Sequence, residues 1–200
     1  MLGKSKLLEL LASTNRGIAG DSEQRAAILS QVAQLEARNP TAGSTQSAEQ
    51  LDGDWQLLYT TSTELLGIDR IPLLKLGQIY QCLRLNTGRA YNLAEVEGLP
   101  YCEGLVSIAA RFALEGDPAK LARGDRRIKV QFERAIFGLQ RWVGYESPQQ
   151  FIRKIESGER FAAIDFSIQG RQGWIDLTYL DDDLRINRGS RGSLFVLKRV

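Results

Sequence analysis

Apolar residues recur at every second position through most of the chain after residue 51, and this alternation restricts the fold more than any other feature. In the clearest segment, Ile128, Val130 and Phe132 alternate with charged or amide side chains, as in a strand with one buried and one solvated face. Another segment places five apolar residues on one face: Val106, Ile108, Ala110, Phe112 and Leu114. The pattern therefore predicts a mainly β protein.

The alternating segments and the short turns between them predict about eight strands between residues 51 and 200. The strands are expected near 55–59, 78–86, 90–97, 105–114, 127–133, 161–168, 174–180 and 193–199, with turns at 86–88, 98–100, 116–118, 169–173 and 188–190. Only one helix, Ser147 to Glu156, is expected among them. Because such short connections join neighbouring antiparallel strands, we predict a meander closed into a barrel, whose interior either is filled by side chains or holds one small apolar ligand.

The first forty residues have helical periodicity instead. Leu7, Leu8 and Leu11 share one face of a first helix, and Asp21 provides an N-cap for a second helix that ends before Pro40. Residues 40–50 are polar and aperiodic. We expect a helical segment and linker over 1–50 and a barrel over 51–200, with the helical pair packed on or across one end of the barrel. The alternative is that the first helix, which also carries Lys4 and Lys6, lies at a bilayer surface.

The charged and reactive residues exclude several classes of function. Lys and Arg total 26 against 24 Asp and Glu, and a net charge of +2 is too small to attract nucleic acid. The sequence has no His, which removes triad hydrolases, most zinc sites and the usual neutral-pH proton shuttle. Asp181 and Asp183 have alternate spacing, but no third metal ligand accompanies them. We expect a non-enzymatic protein without a metal or cofactor; the most remote alternative is an enzyme that uses carboxylate chemistry, because Asp and Glu remain available.

Cysteine usage and the start of the chain indicate where the protein acts. Two cysteines, Cys82 and Cys102, are too few for a disulfide scaffold, so free thiols in a reducing compartment are expected. The apolar run from Leu7 to Ala12 is broken by Glu9 and is too short to span a membrane. The first residues do not resemble an organelle transit peptide, so we expect a bacterial chain or a mature form.

Two segments of the barrel resemble a known family. Residues 51–62 contain Gly53-Asp54-Trp55, a Gly-x-Trp sequence similar to the first strand of lipocalin-type barrels. Residues 173–189, GWIDLTYLDDDLRINRG, followed by GSLFVL at 192–197, resemble the C-terminal signature of the plastid lipid-associated protein (PAP/fibrillin) family. Both occur in the order expected, and the resemblance extends over residues 51–200 and more loosely over the helices.

The resemblance implies a lipocalin-like protein of thylakoids or lipid globules that binds, stores or transports carotenoids, prenylquinones or acyl lipids in photoprotection. Its implied partners are a hydrophobic small molecule, a peripheral thylakoid or lipid-globule surface, and a protein of lipid or quinone metabolism. A cyanobacterial member on the cytoplasmic side of the thylakoid is expected, or a plastid protein if the chain is a mature plant form. Two alternatives are a structural coat protein of lipid particles and an adaptor for an enzyme of prenylquinone synthesis.

The candidate ligand-binding residues are apolar or aromatic side chains expected inside the barrel, together with one arginine. Trp55, Leu57 and Tyr59 are expected on one face of the first strand, where they would line a cavity or fill the core. Tyr hydroxyls would supply polar contacts. The full set is Trp55, Leu57, Tyr59, Ile108, Phe112, Val130, Phe132, Tyr179 and Arg185. We expect these residues to enclose an apolar cavity.

Arg185 is selected from a basic cluster that follows the acidic residues 181–183. The cluster consists of Arg185, Arg188, Arg191, Lys198 and Arg199. It either neutralises the acidic residues at a solvated turn or places Arg185 against a ligand headgroup, an inward Asp or the Trp55 ring. Since Arg185 alternates with Asp183 and Asn187, we expect all three on one face, with Asp183 holding the guanidinium over Trp55. Arg185→Ala should then be strongly destabilising, and Arg188→Ala and Arg199→Ala nearly neutral.

Overall fold

A computed structural model describes residues 2–41, 48–62, 74–98, 100–114, 127–190 and 192–200. The helices are α1 (Leu2–Ala12), α2 (Ser22–Glu36), α3 (Ala48–Leu51), α4 (Gln140–Val143) and α5 (Pro148–Glu156). The strands are β1 (Gly53–Thr60), β2 (Lys75–Arg84), β3 (Arg89–Glu97), β4 (Gly104–Leu114), β5 (Arg127–Leu139), β6 (Ile164–Ser167), β7 (Gln172–Leu180), β8 (Leu184–Gly189) and β9 (Leu194–Arg199). Arg191, the Leu114 side chain, the turn predicted at 116–118 and residues 42–47 of the predicted linker lie outside the described residues.

The strands form a closed antiparallel barrel, which confirms the predicted fold class. Neighbouring strands follow the order β4-β3-β2-β1-β9-β8-β7-β5, and a β4–β5 pairing closes the ring. β5 is long enough to pair along one edge with two strands: β7 pairs with its first half and β6 with its second half. Within the described residues, β6 has no strand partner besides β5. The barrel wall is therefore continuous along β7 but ends at β6.

Helices α1 and α2 pack on the outer surface of the wall formed by β1 and β7–β9. The α2 helix begins where the Asp21 carboxylate accepts the Gln24 N–H at 2.8 Å. Apolar residues of both helices bury the outward side chains of the strands in one cluster: Leu7, Leu11, Ile28, Val32, Leu35, Tyr59, Tyr179, Leu184, Ile186, Leu194 and Val196. The helical pair thus lies on the side of the barrel. Because Leu7 and Leu11 are buried there, they are not available to a bilayer surface.

Helix α5 covers the opposite wall, at the position predicted from the sequence. The Ser147 hydroxyl caps it by accepting the Gln150 N–H at 3.2 Å, and Pro148 occupies its first turn. Its buried face packs on the outward residues of β2–β5 in a second cluster that includes Cys82, Tyr91, Leu93, Leu105, Ile136, Phe151, Ile152 and Ile155. Both walls are therefore shielded from water on their outer side.

Two β-bulges overturn the expectation that Tyr59 and Tyr179 point into the barrel. In β1 the register shifts between Leu57 and Tyr59, so Tyr59 pairs with Val196 on the helix-covered side. A similar shift in β7 places Tyr179 beside Ile186, also under the helices. A bulge inserts one residue and reverses the side on which every later residue of that strand lies. Simple alternation therefore misplaces both tyrosines.

No helix among the described residues is long and apolar enough to cross a membrane.

Candidate functional site

One half of the barrel interior, here called the packed half, is filled around Trp55. Trp55, Leu57, Leu177 and Leu197 are all buried in one cluster of inward side chains. The Trp55 indole N–H donates to the Leu51 carbonyl of α3 at 3.1 Å. This contact ties α3 to the beginning of β1, so that end of the barrel is occupied by side chains.

Two guanidinium groups lie over the Trp55 ring. Arg199 is 4.3 Å from the ring centre and Arg185 is 4.7 Å away. The Arg199 guanidinium also donates to the backbone carbonyls of Gln50, Asp52 and Asp182. The expectation that Arg199 is nearly neutral for stability is therefore inconsistent with its position.

The glycine of the Gly-x-Trp sequence, Gly53, has a positive φ and lies against Arg199. Its φ is +121°, and a Cβ there would lie 2.8 Å from Nη1 of Arg199. Glycine adopts this backbone conformation without steric cost and leaves room for the guanidinium. The Gly-x-Trp sequence and Arg199 thus form one structural unit at the closed end of the barrel.

Arg185 points into the barrel interior. Together with the inward amides Gln81, Asn92 and Asn187 it forms a group of polar side chains, here called the polar belt. The Arg185 side chain is buried, with 1% of the residue exposed. Nη2 donates to Oε1 of Gln81, and Nε2 of Gln81 donates to Oδ1 of Asn92 at 3.0 Å. The expected stacking of Arg185 on Trp55 is present, and the hydrogen bonds extend the belt from β8 across β2 to β3.

The belt is incompletely satisfied within the part of the chain that the structure describes. Nε and Nη1 of Arg185 and Oδ1 of Asn187 are buried without a hydrogen-bond partner. Burial, and secondly the charge of Arg199, lowers the pKa of Arg185 to about 9, so the group is still cationic at neutral pH. The interior therefore contains a positive charge that no carboxylate of the described residues contacts.

The expectation that Asp183 holds Arg185 is wrong. β8 begins at Leu184, so Asp183 belongs to the preceding turn and does not follow the alternation of the strand. Its exposed carboxylate pairs with Lys4 of α1. Arg188, on the outward face of β8, forms a bidentate salt bridge with Glu36 of α2, in which both hydrogen bonds are 2.8 Å long.

The inward face of β4 and β5 forms the other half of the interior, here called the open half. Four of its side chains are only partly buried, Ile108, Phe112, Val130 and Phe132, whereas Ala110, Ile128 and Ala135 of the same face are buried. Phe112 also packs against the cluster around Trp55. Cross-strand pairing fixes the side of the sheet on which these side chains lie, because Phe112 pairs with Val130, and Ile108 pairs with Asn92 of the polar belt. The open half is therefore an apolar surface that solvent reaches and that borders the belt.

The open half continues to an exposed apolar end of the barrel, here called the mouth and formed by Tyr101, Phe137, Trp142, Ile164 and Phe166. The Phe137 and Phe166 rings stack at 6.0 Å between centres, and Ile164 pairs with Phe137. Ile164 is 69% exposed and Trp142 is 63% exposed. Large exposed apolar side chains that cluster in this way mark a surface for a ligand, protein or lipid.

The two cysteines lie outside this interior. Burial beneath α5, and secondly the Asp54 carboxylate, raises the pKa of the Cys82 thiol well above its ordinary value. Cys102 is exposed in the turn between β3 and β4. Cys82 thus has the properties of an unreactive structural thiol.

The structure divides the sequence-predicted site residues into four groups. Trp55 and Leu57 lie in the packed half; Ile108, Phe112, Val130 and Phe132 lie in the open half; Tyr59 and Tyr179 lie outside under the helices. Arg185 lies in the polar belt beside the Trp55 ring. Sequence reasoning missed Gln81 and Asn92. A usable signal existed, because both amides stand at inward positions of otherwise apolar strands.

Comparison with known proteins agrees with the resemblance noted in the sequence. The PAP_fibrillin family model matches residues 1–198. Plastoglobulin-1 of Pisum sativum is 32% identical over 98% of this chain and 60% of its own length. A light-induced chloroplastic protein of Solanum tuberosum is 30% identical over 97% of this chain and 66% of its own length.

A chromoplast-specific carotenoid-associated protein, C2, of an Oncidium hybrid cultivar is 30% identical over 97% of this chain and 67% of its own length. This chain thus spans somewhat less than two thirds of the first two relatives. No solved structure matches. Because the family match covers almost the whole sequence, the chain belongs to the PAP/fibrillin family.

Proposed function

We propose that this protein binds a small apolar lipid non-covalently inside the barrel, without catalysing a reaction. The observation that carries the proposal is the open half, an inward apolar surface with four side chains that are only partly buried. Small-molecule sites are mainly apolar and concave, with a few polar groups that orient the ligand. The open half and the neighbouring polar belt have this composition.

The relatives support a lipid ligand. One is named as a plastoglobulin and another as a carotenoid-associated protein. By analogy, the ligand of this chain is a carotenoid, a prenylquinone or an acyl lipid, and the protein acts at lipid globules or thylakoid surfaces in photoprotection. A plastid and a cyanobacterial thylakoid are both compatible locations.

The proposal is tested by titrating the full chain with an uncharged fluorescent apolar probe, N-phenyl-1-naphthylamine. Val130→Asp places a charge in the open half, whereas Gln131→Asp places the same charge on the outward side of the neighbouring position. We expect Val130→Asp to weaken binding at least about tenfold, because a carboxylate is strongly disfavoured beside an apolar ligand. Gln131→Asp should bind like the wild type. Absence of probe binding, or equal effects of both substitutions, would contradict binding inside the barrel.

A structural coat function is the second candidate, and the mouth favours it. Tyr101 and Trp142 are exposed beside the open half, and the Arg141 guanidinium lies 5.8 Å from the Tyr101 ring centre. Exposed aromatic residues next to a cation are typical of a membrane interface.

Flotation with lipid vesicles tests whether the mouth contacts lipid. Trp142→Ser together with Ile164→Ser should reduce flotation severalfold, because both side chains are exposed at the mouth. Leu8→Ser is the control, since Leu8 is an exposed leucine of α1. A larger loss for Leu8→Ser than for the mouth variant would assign the lipid contact to the helices.

A further inference from the structure

The buried arginine of the barrel differs from the other arginines in its partners. Several more exposed arginines pair with a carboxylate: Arg84 with Asp54, Arg127 with Asp176, Arg134 with Asp165 and Arg188 with Glu36. Arg185 is the most buried of these cations, yet no carboxylate of the described residues pairs with it, and two of its nitrogens have no hydrogen-bond partner. Buried charges in proteins are normally paired.

Holding Trp55 in place does not account for Arg185. Arg199 is closer to the ring centre of Trp55 and also donates to three backbone carbonyls at that end of the barrel. Arg199 is therefore sufficient to cover the indole and close the end. A second guanidinium adds charge repulsion between the two cations, which is unfavourable unless an anion compensates it.

A chain of side-chain and strand contacts connects Arg185 with the open half. Its only hydrogen-bond acceptor in the described residues is the Gln81 amide oxygen, and Gln81 is only partly buried. Gln81 bonds to Asn92, which pairs with Ile108 of the open half. The Gln81 oxygen is therefore the group that an anionic oxygen from the open half would replace at Nη2.

We propose that Arg185 binds the carboxylate of an apolar ligand, so that the barrel prefers long-chain carboxylic acids to neutral lipids of the same shape. This inference rests on the proposed function, because it requires a ligand in the open half. Gln81 and Asn187 are the neighbouring amides that would contact the remaining oxygen of the headgroup. A carboxylate there supplies the missing counter-charge of Arg185 and forms the stronger, charge-assisted type of hydrogen bond.

The test compares cis-parinaric acid with its methyl ester, using the fluorescence of the full chain and ligand at pH 8. The acid and the ester share one chain, and only the acid has a charge. We expect the wild type to bind the acid at least about tenfold more tightly than the ester. Arg185→Met should bind both equally and with the affinity that the wild type shows for the ester. Arg188→Met, a change on the outward face of the same strand, should retain the preference.

Each outcome separates this inference from the proposed function. Equal affinity of the wild type for acid and ester overturns the carboxylate site and leaves lipid binding intact. Binding of neither ligand overturns both. A preference that persists in Arg185→Met assigns the carboxylate to another cation and also overturns the inference. Because the wild-type comparison needs no variant, the inference stays testable even if Arg185→Met fails to fold.

Discussion

The packed half and the open half of the barrel arise from the same alternating pattern, yet their side chains differ in how far they are buried. Trp55, Leu57 and Leu197 of the packed half are buried against one another, whereas Phe112 and Val130 of the open half stay partly exposed. Along the open half, β5 changes its partner from β7 at Arg127–Gln131 to the short β6 at Arg134–Phe137, and β6 has no further strand partner among the described residues. Except at the bulges of β1 and β7, alternation thus predicts which side chains point inward, but it does not predict how far they are buried.

Truncation of Trp55 should show the largest difference between the two halves. Trp55→Ala removes a fully buried ring that contacts two guanidinium groups, and we expect it to lower the free energy of unfolding by about 3–5 kcal/mol. Phe112→Ala, in the open half, should cost less, about 1–2 kcal/mol, because that ring is already partly hydrated. Urea unfolding measures both. Equal losses would mean that the two halves are packed alike.

The next largest change in stability is expected in helix α1, which packs on the outer surface of the barrel wall. Leu7 of α1 is fully buried on the barrel wall, whereas its neighbour Leu8 is 39% exposed. Leu7→Ala should destabilise the protein by about 2–4 kcal/mol, and Leu8→Ala should change stability by less than about 0.5 kcal/mol. Thermal unfolding of the two variants measures the difference. If Leu7→Ala were as mild as Leu8→Ala, α1 would not support the barrel.

The next prediction concerns the stability of Arg185→Met, a substitution in the polar belt between the two halves. The Arg185 side chain is buried and no carboxylate of the described residues pairs with it, so the sequence-based expectation of a large loss in stability no longer applies. Replacing an uncompensated buried charge with an apolar residue of similar length is often neutral or stabilising. We expect Arg185→Met to unfold at the same urea concentration as the wild type or to be about 1 kcal/mol more stable. A loss near 3 kcal/mol would show that the guanidinium is well compensated inside the barrel.

The smallest change in stability is expected where β5 pairs with β6. On the outer face of these strands, the Arg134 guanidinium forms an ion pair with the Asp165 carboxylate at 2.5 Å. The hydrogen bond from Arg134 lowers the pKa of Asp165 below its ordinary value of 3.8. The pair therefore stabilises the folded state above pH 3.8, and this contribution is lost as the pH falls through the lowered pKa. Asp165→Asn should cost less than about 1 kcal/mol at pH 7.

The pH dependence provides the control for this pair. At a pH below the folded-state pKa of Asp165, the wild type and Asp165→Asn should unfold at the same urea concentration, because the wild-type carboxyl is then protonated as well. A difference that stayed constant down to low pH would show that the substitution acts through shape rather than charge.

Much of the fold was predictable because each strand and helix depends on local pattern. The Asp21 cap, the α5 helix after Ser147 and the meander of short connections all follow from residues close in sequence. The contact between Arg185 and Trp55 was also expected. The outward positions of Tyr59 and Tyr179 were not expected. A bulge depends on pairing with a distant strand, so the alternation within one strand does not reveal it.

By itself, the sequence determined a mainly β barrel, an N-terminal helical pair and the inward positions of Trp55, Ile108, Val130 and Arg185. These follow from periodicity, which is a property of neighbouring residues. The tertiary structure alone decided that Asp183 pairs with Lys4, that Arg185 has no carboxylate partner among the described residues and that four inward side chains of β4 and β5 are only partly buried. Those features depend on which distant side chains meet across the barrel, and they define where an anionic lipid would bind.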